Sequence, residues 1–530
     1  MRVEMTTLGF LDRAVDLYGD VTGVVADDGR EWTYAAFDER VRSLTGALAG
    51  AGFERGDRVA LLASNTHYFL ETTFATQHLG GVFVPLNYRL TPDDYAYILG
   101  DCEPSVVVAD HEYAGKVERV REDLPVERFV GYRSERIDGD WTDYESFLES
   151  GPDDHERPEI REDDDATVNY TSGTTGDPKG VVRTHRTEHW HALVLSSHMG
   201  IRDDETYLWT LPMFHGNGWG HTYAVTGAGG THVCQRTFDP GATFERIRER
   251  DVSYLCGAPT VMNRLIEYHE REAPATTGDR PVRITTAGSA PPQATIRTVE
   301  DEFGWEFVHI YGLTEGTAIV TTSHSPRRIA SEGRAIKTKQ GFEPLCTDVR
   351  VVDEDGEDVP RDDETRGEVV VRGNQVMDRY LGKPEATERA FSERLEGYLH
   401  TGDLATMDPN GMITIQDRKK DIIVTGGENV SSIEVEDVLY DHPDVRKVAV
   451  IPTPSEEWGE AVTALVVPTD GADLAPEAVT AFARERLAGY KIPRRVELVP
   501  DLPETATGKV RKYELRERYW EDEDRMVGEG

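Results

Sequence analysis

From the first residues to about position 416, short apolar runs alternate with longer stretches whose apolar positions recur at helical spacing. Residues 58–62 (RVALL) and 81–85 (GVFVP) read as strands, and residues 68–79 between them read as a helix. Residues 106–109, 167–170, 206–211, 253–255 and 283–287 extend the series of strands. Strands separated by helices predict an α/β fold with parallel, doubly wound sheets. From about residue 349 the pattern changes to strands and tight turns (VRVVDEDGEDVP, GEVVVRG), which predicts a β-rich subdomain. The charged run Asp417-Arg418-Lys419-Lys420-Asp421 then interrupts the pattern.

A small α+β unit follows. Ser431-x-x-Glu434 has the spacing that caps a helix starting near residue 433, and residues 447–451 and 464–468 read as strands. Pro476 opens a helix with Val479, Phe482, Ala483 and Leu487 on one face. The expected division is a large domain over 1–416, a joint at 417–420 and a small domain over 421–530.

Charge narrows the function classes. With 98 acidic and 58 basic residues the formal charge is −40, which excludes a general affinity for nucleic acid or an anionic membrane. The acids are spread along the whole chain, and only 11 of the basic residues are lysines. That surface resembles those of salt-in halophiles and predicts weaker folding at low salt. No apolar run approaches the roughly 20 residues of a membrane span, and the N-terminus lacks a secretion-signal pattern, so a cytoplasmic protein is expected. Cys102, Cys234, Cys256 and Cys346 are widely spaced and read as reduced, inert thiols.

The most specific chemistry lies in residues 170–180, YTSGTTGDPKG. Four hydroxyl residues, three glycines and a lysine form a donor-rich loop suited to a polyphosphate. It is not a Walker A loop, because Pro178 precedes Lys179 and Gly180-Val181-Val182 continues as a strand. Further motifs follow in order: Tyr311-Gly312-Leu313-Thr314-Glu315, Thr401-Gly402-Asp403, Asp417-Arg418, Gly426-Gly427-Glu428-Asn429 and Thr507-Gly508-Lys509.

As an ordered set these motifs resemble the adenylate-forming superfamily of acyl-CoA synthetases, peptide adenylation domains and beetle luciferases, from about residue 20 to about 515. The resemblance implies ATP, Mg²⁺ and coenzyme A as cofactors and a mobile small domain; the sequence does not reveal the oligomeric state, for which a homodimer is one option. It implies that Lys509 bridges the substrate carboxylate and the α-phosphate. Thr171, Ser172, Gly173, Thr174, Thr175, Gly176 and Lys179 would close over the outer phosphates. Thr314 would bond phosphate and Glu315 would help hold the metal, since a carboxylate beside phosphates needs a cation. Tyr311 would offer its ring to adenine, with Gly288, Ser289, Ala290, Pro291, His309, Ile310 and Gly312 around it. Asp403 would accept from the ribose hydroxyls beside Arg418, and Ile415 would pack on the nucleoside. His309 departs from the Asn or Gln that relatives often carry.

The second half-reaction needs a different surface. By resemblance the small domain rotates about Lys420 and presents Gly426, Gly427 and Glu428 to the pantetheine arm of CoA. The segment Pro212-Met213-Phe214-His215-Gly216-Asn217-Gly218-Trp219 resembles branches acting on fatty or small aromatic acids. His215 is then a gate beside the carboxylate and Trp219 a wall of a pocket shared with Gly288 and Gly312. The implied activity is an acid–CoA ligase for a short- to medium-chain fatty acid or an aryl acid. Two alternatives stay open: transfer to a carrier protein in trans, and a nucleotide-binding regulator that has lost catalysis.

Overall fold

The computed structural model of the protein describes residues 3–151, 155–171, 178–288, 291, 293–324, 329, 333, 336–391, 395–419, 421–426, 428–455, 458–504 and 510–520. Two eight-stranded sheets dominate the first 322 residues. One has Val82–Leu86, Arg58–Leu62, Val106–Asp110 and Arg128–Tyr132 as a parallel centre. The other has Glu306–Tyr311, Arg283–Thr286, Tyr254–Gly257, Thr206–Trp209 and Thr231–Cys234 in parallel.

Purely parallel sheets are not what forms. Asp165–Thr171 and Lys179–Thr184 pair antiparallel, and Arg379–Tyr380 adds an antiparallel edge. The link between the first two strands is too short for a crossover helix, so the chain must return as a hairpin. The β-rich subdomain is an antiparallel sheet of Thr347–Val352, Gly367–Gly373, Leu399–Met407 and Ile413–Arg418.

The helix His67–His78 lies between the two large sheets and is buried on almost every side. Phe69 and Phe74 from it share one core with Leu61 and Phe83 of one sheet and Trp209 and Ile310 of the other. Thr184 caps the helix His185–Met199 by accepting from the Thr187 N–H, and Gly200 ends that helix at φ 64°.

The small unit holds its own core around Val450, Val462 and Val479. Its sheet pairs Val445–Ser455 with Gly459–Pro468 along their lengths. Ser431 caps Ser432–Tyr440 as its spacing predicts, accepting from the Glu434 N–H at 3.1 Å. The joint begins inside the body: Asp417 and Arg418 still belong to the strand Ile413–Arg418, opposite Leu404 and Asp403.

Candidate active site

Three groups of side chains converge where the strands of both large sheets end. The first surrounds the arms of the donor-rich loop. Thr171 and Lys179 face each other across the hairpin, with the Thr171 hydroxyl 3.5 Å from the Lys179 carbonyl. The Lys179 ammonium sits 5.0 Å from the centre of the Tyr380 ring. The Tyr380 hydroxyl donates to Glu315 at 2.8 Å, and the Met377 N–H donates to the Glu315 carbonyl at 2.7 Å. Edge strand Arg379–Tyr380 thus ties the loop's arm to Glu315. Sequence spacing gives no hint of Tyr380, which lies 65 residues from the carboxylate it holds.

The second group gathers around Tyr311. Its hydroxyl donates to Asp403 at 2.7 Å, and the Arg418 Nε stands 3.4 Å from the other Asp403 oxygen. Burial and the neighbouring Asp403 carboxylate push the Tyr311 phenol well above its ordinary range. Ile310 and His309 lie inside on the same strand, each about 1% exposed. Burial lowers the His309 pKa to about 4, so the ring is neutral at pH 7. A Cβ on Gly312 would stand 1.7 Å from the Ala318 carbonyl oxygen, so only glycine fits there. Gly288 has φ 103° with open space around it, and Pro291 is buried. Half-buried Ile415 is fixed by its N–H, which donates to Gln340 at 2.7 Å.

The third group is the turn His215–Gly220. Gly216, Asn217, Gly218, Trp219 and Gly220 all have positive φ, between 48° and 77°, making a left-handed turn. A left-handed conformation costs an L-residue roughly 1–2 kcal/mol, and Trp219 adopts it at 52° while only 6% exposed. The alternating glycines are required twice over. A Cβ on Gly218 would meet Trp209 at 2.6 Å, and one on Gly220 would meet His191 at 2.5 Å. Half-buried His215 has its pKa pushed down to about 4 by burial, then by the nearby Arg183 and Arg89 cations.

Arg183 joins the groups. It is wholly buried, pairs with buried Glu188 at 3.4 Å, and donates to the carbonyls of Gly216 at 3.2 Å and Thr314 at 3.0 Å. A charge in the otherwise apolar run after Lys179 was the available signal for it. Ser172, Gly173, Thr174, Thr175, Gly176, Ser289, Ala290, Lys420, Gly427 and Lys509 lie outside the described residues. Gly426 has φ 60° and donates its N–H to the Trp458 carbonyl at 2.8 Å; Glu428 is exposed on the adjoining strand.

Residues 11–381 match the model of the AMP-binding enzyme family, and residues 434–509 match its C-terminal domain. The chain belongs to the AMP-binding enzyme family. It is 38% identical to a 4-hydroxybutyrate–CoA ligase of Metallosphaera sedula, with 97% of this chain and 94% of that protein covered. It is 36% identical to a 2-methylpropanoate–CoA ligase of Humulus lupulus, covering 97% and 95%. ATP-bound MatB from Rhodopseudomonas palustris superposes with a TM-score of 0.86 at 27% identity, covering 98% and 99%. With relatives named as CoA ligases matched almost end to end, this AMP-binding enzyme is an AMP-forming acid–CoA ligase using ATP and CoA.

A divalent cation suits the donor set. Among the described residues no three His, Cys, Asp or Glu side chains come together as a metal cage. The Glu315 carboxylate, positioned by Tyr380, offers the hard oxygen ligand that Mg²⁺ favours. Among those residues, too, no helix is long and apolar enough to cross a membrane.

Proposed function

We propose that this ligase activates a short- to medium-chain monocarboxylic acid, with a small aryl acid as the second choice. The observation that carries the reading is the left-handed turn. It holds His215 and the buried Trp219 on either side of Gly216, whose carbonyl shares the Arg183 guanidinium with the carbonyl of Thr314, next to Glu315. The names of the four-carbon acids activated by the relatives from Metallosphaera sedula and Humulus lupulus support the size.

In the first half-reaction a carboxylate oxygen bonds to the α-phosphorus of ATP and pyrophosphate leaves. Both reactants are anions, so the site must supply positive charge at fixed positions. His215 is uncharged at pH 7, since its pKa lies near 4. It can hydrogen-bond the acid without neutralising it. By the family resemblance Lys509 is the cation between carboxylate and α-phosphate, with residues 171–179 over the outer phosphates. Asp403, held by Tyr311 and Arg418, takes the ribose hydroxyls; Ile415 and the strand of His309 and Ile310 flank the base. Mg²⁺ bound at Glu315 would offset phosphate charge.

In the second half-reaction the CoA thiol bonds to the acyl carbon and AMP leaves. Residues 417–420 form the hinge between domains 1–416 and 421–530, and Gly426, Gly427 and Glu428 then line the pantetheine path. Glycines there let the backbone lie against a thin ligand.

The charge of −40, spread along the chain, supports a salt-rich cytoplasm of the haloarchaeal type as its setting. The free thiols, Cys346 exposed among them, fit a reducing compartment. An acid panel assayed for pyrophosphate release and CoA-thiol loss, in dilute buffer and molar KCl, tests the whole reading. Acids of about four to ten carbons should give thioester, and only at high salt. Pyrophosphate release without thiol loss would point to a carrier-protein acceptor; silence with every acid would point to a lapsed regulator.

A further inference from the structure

The turn His215–Gly220 carries more polar support than its own backbone explains. Left-handed backbone is intrinsically costly for L-residues, so a run of it persists only where the surroundings hold it in place. Three of the turn's carbonyls are met by buried side chains from other elements. Arg183, on the strand Lys179–Thr184, donates to the Gly216 carbonyl at 3.2 Å. His191, on the helix His185–Met199, donates from Nε2 to the Trp219 carbonyl at 3.1 Å. His221 donates from Nδ1 to the Gly218 carbonyl at 3.0 Å, while its Nε2 accepts from the Tyr254 hydroxyl at 3.0 Å. A carbonyl only accepts, so these partners fix which nitrogen of each ring carries the proton.

All three donors are fully buried. Burying an arginine is expensive unless its charge is paired, and Glu188, itself wholly buried, pairs it. The second arm of Arg183 reaches the Thr314 carbonyl, one peptide before Glu315. One guanidinium therefore spans the turn on the acid side and the loop on the phosphate side. Its planar fork suits that task, since its N–H groups leave in fixed, divergent directions.

We propose that Arg183, His191 and His221 are positioning residues that lock the 216–220 turn in its left-handed form, and that Arg183 also sets the turn in register with the Thr314–Glu315 loop. None of them touches substrate; they act through the peptides they hold. The inference rests on the reading that this turn borders the acid. It assigns the two histidines to the acid alone and Arg183 to acid and nucleotide together. A purely structural role would not produce that split.

The test is steady-state pyrophosphate exchange at high salt across the acid panel, with rates normalised to folded protein by circular dichroism. His191→Phe and His221→Phe should raise KM for the acid and flatten the chain-length preference while leaving KM for ATP alone. His191→Gln, which keeps an N–H donor at the same reach, should restore most of the acid KM. Arg183→Met combined with Glu188→Met replaces the buried pair by apolar side chains of similar volume, a change that usually preserves folding. That variant should raise both KM values and lower kcat/KM by roughly 10²-fold, the scale expected for misplacing reacting groups by about 1 Å. Folded variants with the parent's KM values would overturn the proposal. So would losses in kcat alone that follow the unfolded fraction. A parent enzyme silent with every acid would sink the ligase reading and this one with it. A parent that works while its variants keep their constants would sink this one alone.

Discussion

The left-handed turn His215–Gly220 and the joint around Asp417 both bury polar groups, yet they depend on protons in opposite ways. At the turn the supports are histidines that must stay neutral: burial lowers the pKa of His191 and of His221 to about 3. At the joint the supports are carboxylates around one ammonium. Asp417, 1% exposed, accepts from the Ser432 N–H at 2.5 Å and from its hydroxyl at 2.7 Å. Lys512 bonds the Ser432 hydroxyl at 2.6 Å and pairs with Glu436 at 2.7 Å, and Arg516 pairs with Asp421. Burial works against the Lys512 cation, but Glu436, Asp417 and Asp421 outweigh it and keep it charged. Burial raises Glu436 to about 7. One region is a fixed frame of short, direction-specific bonds. The other is a cluster of charged groups around Ser432 and Lys512.

The sharpest way to break this comparison is to remove the cation assigned to the moving side. Lys509→Ala should lower adenylation by roughly 10²–10³-fold, the usual effect of deleting one preorganised group from a charged transition state. Thioester formation from supplied acyl-adenylate should survive. Quenched-flow measurement of each half-reaction decides, and equal losses in both would mean that fixed and moving regions share the first step.

A smaller effect is expected at the joint itself. Asp417→Ala leaves the Ser432 N–H, at a helix N-terminus, without its acceptor. An unsatisfied buried donor costs about 1–3 kcal/mol. Calorimetry should show the small unit melting several degrees lower while the body keeps its transition. An unchanged thermogram would mean that Asp417 does not fasten the two parts.

The two regions were also unequally legible in the sequence. The frame of the site was readable because each motif sits where periodicity changes: Tyr311 closes the strand Glu306–Tyr311, and Asp403 lies in Leu399–Met407. Ser431-x-x-Glu434 announced its helix because a cap is a local device. The antiparallel edges were hidden by strands that are apolar on both faces, a pattern that does not encode direction. Gly216, Gly218 and Gly220 did not announce a left-handed turn, since glycine permits either hand. Arg183, Tyr380 and Lys512 could not be assigned, because their partners lie across tertiary contacts 33 to 131, 65 and 80 residues away.

The smallest expected effect tests the proton argument directly. Glu436 has its pKa raised from the ordinary 4.5 to about 7, so the folded protein holds a proton there that the unfolded chain has released. Its stabilising contribution is fully present below pH 4.5 and is lost as pH rises toward 7. The buried histidines have the opposite sign. With folded pKa values near 3 against an ordinary 6.5, their contribution is present above 6.5 and is lost as pH falls. Raw melting curves mix the two trends, so the informative quantity is a difference. Glu436→Gln keeps an acceptor for the Val450 N–H, which Glu436 holds at 2.6 Å, but cannot ionise. Parent and variant share every histidine, so subtracting their melting temperatures at pH 5, 6, 7 and 8 in molar KCl isolates the carboxyl group. The parent should lose ground to the variant steadily from pH 5 to 7 and no further above that. A difference that stays level would show that Glu436 is already ionised beside Lys512 at pH 5, and the joint would then be as indifferent to protons between pH 7 and 8 as the turn.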